Sequence, residues 1–147
     1  MTAYLLDTNI LSLLLRRNAV VGQRAEAAFA ANTVIVLSPV VFYEVKRGLL
    51  KRDAKKQMEF FERLIPKFIW QDFERHDWKE AAQLWASQMN QGAPIEDADL
   101  LIAAQAKRLG AILVTDNEKD FDDLGVKTEN WREGKYRDEN FARFPRL

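Results

Sequence analysis

Three short apolar runs constrain this chain most: Ala3–Leu6 (AYLL), Thr33–Leu37 (TVIVL) and Ala111–Thr115 (AILVT). Each is too short for a stable core helix and is apolar on successive residues. Both faces of such a strand must be buried, as happens when helices cover a parallel sheet on each side. The intervening segments supply those helices. Ile10–Leu15, Gln23–Ala31, the VVFYEVKRGLL segment after Pro39, Lys55–Leu64 and the IEDADLLIAAQAKRL segment all read as helical. Phe68–Trp70 and Val126–Trp131 are candidate outer strands. The alternation predicts a three-layer α/β/α domain around a central, mostly parallel sheet.

Local signals add detail. Ser38 is placed to cap the helix that Pro39 opens. Asp77 and Glu80 have capping-box spacing, and Trp78, Ala81, Ala82, Trp85 and Met89 follow as a helical stripe that predicts core packing. Phe60, Phe61 and Leu64 read as packing residues or part of a dimer surface. Gly110 is positioned to end the late helix. His76, the only histidine, reads as a solvent or capping residue.

Composition narrows the chemistry. Lys plus Arg and Asp plus Glu each number 22, so no global basic charge marks a nucleic-acid binder, although local patches can serve one. Absence of cysteine excludes disulfides, thiolate ligands and thiol nucleophiles. No run approaches the roughly 20 apolar residues of a membrane span, and no secretory signal is visible. The expectation is a cytoplasmic protein with no membrane partner. The domain is expected over residues 1–131. Residues 132–147 form a tail whose Tyr136, Phe141 and Phe144, interleaved with charge, suggest packing on the domain or a partner.

Ligands of open parallel sheets collect beyond the carboxyl ends of the strands. Asp7 and Asp116 each follow an apolar run directly, Glu44 lies in the helix after the second strand, and Asp97 and Asp99 open the late helix. Gathered together, such acids would repel one another unless a hard divalent cation joined them. Mg²⁺ takes oxygen ligands and keeps waters, so a few carboxylates suffice. Each acid also has a plainer reading. Asp7 could cap a helix, Glu44 could sit at the surface, and Asp97 and Asp99 could complement a helix dipole. Asp99 is the better placed of that last pair, because DLLIAA sets Ala103 one turn below it on an inward face.

Four blocks in order, LLDTNI, FYEVKRG, DLLIAA and LVTDNEKDF, resemble the signatures of the PIN-domain family, and within it the VapC-type toxins of toxin–antitoxin pairs. The resemblance spans Tyr4 to Trp131. It implies an endoribonuclease dependent on Mg²⁺ or Mn²⁺ that leaves a 5′-phosphate and a 3′-hydroxyl. It also implies a homodimer, a cognate antitoxin that inserts a C-terminal segment near the active groove, and contact with operator DNA only through that antitoxin. By residue, Asp7, Glu44 and Asp99 match the family's acids, with Asp7 and Asp99 holding the metal and Glu44 assisting. Asn117 stands where many members carry a fourth acid, which leaves a second metal position open. Thr115, Asp120 and Asp116 belong to the same block, and Thr8, Asn9 and Asp97 are supporting candidates. For RNA, the candidate contacts are Arg16 and Arg17, and the run Lys46, Arg47, Lys51, Arg52, Lys55 and Lys56. Other readings are a phosphoesterase acting on another substrate, a non-enzymatic PIN-like RNA-binding or protein-interaction module, and a plain α/β domain whose acids are caps.

Overall fold

The computed structural model describes residues 2–133; the expected tail contacts of Tyr136, Phe141 and Phe144 lie outside the described residues. Five strands form one sheet: β1 (Thr2–Leu6), β2 (Thr33–Leu37), β3 (Ile69–Trp70), β4 (Ile112–Val114) and β5 (Thr128–Glu129). Their order is β3-β2-β1-β4-β5, and every pairing is parallel. Leu5, Ile35, Leu37, Leu113 and Val114 are buried in the middle of it. The three apolar runs are therefore the three central strands, and the predicted α/β/α architecture is the observed one.

Six helices cover the sheet: α1 (Thr8–Leu15), α2 (Ala19–Ala30), α3 (Pro39–Arg52), α4 (Lys55–Leu64), α5 (Arg75–Asn90) and α6 (Asp97–Leu109). α1 begins two residues earlier than its apolar stripe implies because Asp7 caps it, and α2 begins at Ala19 because the Asn18 side chain accepts from the Val21 amide. Asp53 ends α3 and Gly110 ends α6, both in the left-handed region at φ 50° and 62°. At Gly110 the missing side chain permits that turn at little conformational cost. Phe60, Phe61 and Leu64 are buried, so the α4 stripe is core. Burying each such side chain contributes about 1.5–3 kcal/mol.

Three local expectations are corrected. Ser38 is the N-terminal flanking residue of α3, but its side chain makes no capping bond. The capping box of α5 lies three residues earlier than predicted: Glu74 is the cap, and Asp77 accepts from the Glu74 amide at 2.8 Å. Asp77 is thereby drawn inward, fully buried, where Arg108 Nε reaches it at 2.8 Å and Nη2 at 3.0 Å. Trp78 and Trp85 are not core residues; they are 56% and 48% exposed. A helical stripe reports which residues share a face, not whether another element covers it. α5 packs on α6 alone to any extent, and this leaves the tryptophan edge open as the wall of a groove with Leu101 and Asp97.

A candidate metal and phosphodiester site at the carboxyl edge

Asp7 caps α1 and also lines the cleft at the sheet edge, so the capping reading does not exclude the site reading. One carboxylate oxygen accepts from the Thr8 amide at 2.7 Å and closes the start of α1. The other accepts from the Thr115 hydroxyl at 2.8 Å, across from β1 to the end of β4. The parallel register makes this meeting inevitable: Leu6 pairs with Val114, and the next residues on the two strands are Asp7 and Thr115. Thr115 is in turn fixed by the Asn117 amide, which donates to its oxygen at 3.1 Å.

Glu44 reaches the same place from α3. Its Oε1 accepts from the Thr8 hydroxyl at 3.0 Å, and Arg47 stands 3.6 Å from its Oε2. Asp99 enters from the first turn of α6. Asp7, Glu44, Asp99, Asn117 and Asp120 line one cleft of about 370 Å³, together with Thr8 and Asn9. Glu96 lines it too, and the sequence reading missed it. The available signal was position: Glu96 precedes Asp99 by three residues, and i, i+3 side chains share a helix face. Pro94 and Ile95 complete that wall.

The electrostatics match the crowding. Burial, followed by the charges of Asp7, Glu96, Asp120 and Glu44, pushes the Asp99 carboxyl up to about 7. Burial also raises Asp7, against the lowering effect of its Thr115 and Thr8 hydrogen bonds. A hard cation is the natural counter-charge for such a set, and all the donors are oxygens. Among the described residues, however, no three acidic or histidine side chains form a group closed around a metal position. The chemistry of the set fits a divalent cation; the arrangement is gathered rather than closed.

Other candidates lie elsewhere. Asp116 does not line the cleft: its oxygens accept from Asn130 at 3.1 Å and Arg132 at 2.7 Å, a surface link that holds the end of β5. Asp97 faces the tryptophan groove. Arg17 lies 3.8 Å over the Phe60 ring, and Lys46 contacts Met58 sulfur and Glu62 on α4. Lys51 and Arg52 occupy the last turn of α3, while Arg16 flanks the end of α1. Of the basic candidates, Arg47 is the one held beside a cleft carboxylate.

The parallel sheet and its covering helices agree with a PIN-like α/β/α sandwich, and the PIN-domain pattern matches residues 4–127. The chain belongs to that family. It is related to the VapC- and FitB-type toxins of toxin–antitoxin systems. It is 27% identical over 135 residues to the tRNA(fMet)-specific endonuclease VapC of Shigella flexneri, covering 89% of this chain and 99% of that protein. Ribonuclease VapC2 of Haemophilus influenzae is 26% identical over 134 residues, with the same coverage of 89% and 99%. Among solved structures, VapBC2 from Rickettsia felis, bound to a DNA fragment from their promoter, is similar at a TM-score of 0.78 and 27% identity. That match covers 88% of this chain and 99% of the solved one. FitAcB from Neisseria gonorrhoeae is similar at a TM-score of 0.72 and 27% identity, covering 87% and 97%. Among the described residues, no helix is long and apolar enough to cross a membrane.

Proposed function

We propose that this protein is an endoribonuclease dependent on Mg²⁺ or Mn²⁺, acting in the cytoplasm as the toxin of a toxin–antitoxin pair. The observation that carries the reading is the convergence of Asp7, Glu44 and Asp99 on one cleft, with burial and neighbouring negative charge raising Asp99 to about 7. A divalent cation would relieve that electrostatic tension. The names of the VapC relatives, an endonuclease and a ribonuclease, supply the substrate class. The solved VapBC2 assembly on a promoter DNA fragment supports a partner protein for this chain, and the family resemblance adds the antitoxin, the homodimer and operator contact through the antitoxin.

Asp7 and Asp99 would hold the cation, with Glu44 beside them directly or through a water. Bound there, the ion would neutralise charge developing at phosphorus and lower the pKa of an attacking water. The protein's own groups do the positioning. Thr115 and the Thr8 amide fix both oxygens of Asp7, and the Thr8 hydroxyl orients Glu44. Asn117 brings a neutral amide to the cleft, where it can donate to a phosphate oxygen without adding repulsion. Arg47, beside Glu44, is suited to meet an incoming phosphate. Asp116 plays no metal role in this reading.

The test is cleavage of RNA by purified protein with Mg²⁺, Mn²⁺ or EDTA, alongside Asp7→Asn and Asp99→Asn. Metal-dependent cleavage should fall at least ~100-fold in both variants, as expected for loss of a transition-state electrostatic partner. Cleavage that persists in EDTA and in both variants would remove this cleft as its source.

A further inference from the structure

Among the described residues, two buried side-chain polar atoms have no hydrogen-bond partner, Ser38 Oγ and Gln105 Oε1. Both residues are fully buried, at 0% exposure. Orphaned polar atoms in a core are costly and call for a cause. The strand ladder sets Ser38 opposite Gln71, the residue whose carbonyl Gln105 reaches. The Gln71 amide donates to the Leu37 carbonyl at 3.3 Å, extending the β2–β3 pairing in which Leu37 meets Trp70. In a parallel ladder the carbonyl of the same residue then accepts from the amide two positions along the partner strand. Here that position is Pro39, which has no amide hydrogen. Gln105 fills the gap: its Nε2 donates to the Gln71 carbonyl at 2.9 Å. That bond fixes which end of the amide is nitrogen and leaves Oε1 as the orphan, next to the strand end where Ser38 stands.

The two orphans are complementary, a hydroxyl that can donate and a carbonyl oxygen that can accept. We propose that one internal water joins Ser38 to Gln105 and makes them positioning residues of the cleft. Gln105 lies six residues after Asp99 on α6, and Ser38 lies six residues before Glu44 on α3. The water ties the root of the helix carrying one acid to the middle of the helix carrying another. The link itself stands on the buried atoms; its catalytic consequence rests on the ribonuclease reading.

The decisive experiment is a double-mutant cycle of Ser38→Ala and Gln105→Met on the full chain, followed by urea unfolding in EDTA. With a shared water, Ser38→Ala lowers the folded-to-unfolded ratio about tenfold in the wild-type background but has almost no effect in the Gln105→Met background, which has already lost both the water and the Gln71 bond. If Ser38→Ala leaves stability unchanged or raises it, the hydroxyl is an empty orphan and the link is refuted; multiplying effects refute it equally. A crystal structure of the protein should show ordered density within hydrogen-bond distance of both atoms, and its absence is a second refutation independent of how the variants fold. In the RNA assay, Ser38→Ala should lower kcat several-fold with KM unchanged. An unaltered kcat overturns the positioning role. A wild type that cleaves nothing overturns the ribonuclease reading and leaves the unfolding cycle to decide the link.

Discussion

Replacing Asp99 by asparagine should make the metal-free protein more stable while destroying its proposed activity. The carboxyl is raised from 3.8 to about 7, first by burial and then by Asp7, Glu96, Asp120 and Glu44. At about 1.4 kcal/mol per pH unit, that interval corresponds to about 4 kcal/mol against the ionised form. The group is only partly shielded from solvent, and screening reduces the effect to about 2 kcal/mol. The substitution also removes a negative charge from the first turn of α6, which costs about 0.3–1 kcal/mol. A net gain of about 1–2 kcal/mol is left at pH 8.

The sign follows from proton linkage. Below about pH 4, Asp99 is protonated in both folded and unfolded chains and exerts no penalty. Between about pH 4 and 7 the unfolded chain releases its proton while the folded one retains it, so wild-type stability falls with rising pH. Urea unfolding in EDTA at pH 4 and pH 8 measures this directly. Asp99→Asn should be more stable than wild type at pH 8 and have no such advantage at pH 4. Saturating Mg²⁺ should then stabilise wild type and close the gap, by RT ln(1 + [L]/Kd). An Asp99→Asn protein no more stable than wild type at pH 8, or one with a pH-independent advantage, would refute the claim that crowded charge destabilises the cleft.

Two further outcomes test the surrounding fold. Burial pushes the Asp77 carboxyl up, but the Arg108 hydrogen bonds and the Glu74 amide outweigh it and hold the group below its ordinary range. Arg108→Ala would strand that buried carboxylate and should cost about 3–5 kcal/mol by urea unfolding at pH 7, with the loss shrinking as pH falls below about 4. Trp85→Ser, by contrast, should shift stability by less than about 1 kcal/mol, because the ring is 48% exposed; a loss of about 3–5 kcal/mol, the cost of deleting a core tryptophan, would show that its face is covered.

The sheet was legible because its central strands are buried on both faces, which forces continuous apolar runs such as TVIVL and AILVT. The edge strands were less so: β5 is two residues long and pairs on one side only, and Val126–Trp131 overstated it. Which acids reach the cleft was legible where position carried meaning. Asp7 directly follows a strand, and Asp99 heads an inward helix face. Glu96 was missed because a carboxylate just before a helix looks like an ordinary cap, although its side chain makes no capping bond. Asp116 illustrates the converse. It sits at the same sheet edge, but Arg132 and Asn130, distant in sequence, draw its carboxylate away. The tryptophans show a limit of periodicity, since Ala81 of the α5 stripe is buried while Trp78 and Trp85 of the same stripe stay exposed.

A single residue separates β1 from α1, so the Asp7 carboxylate has no slack of its own. A substitution meant to test the proposed activity must therefore be chosen with care. A truncation such as Asp7→Ala would unfasten the start of a helix and strand the Thr115 hydroxyl, so loss of activity there does not separate chemistry from folding. Asp99 carries no such structural duty, and a protein silenced there should remain soundly built, which makes it the cleaner inert counterpart for capturing partners.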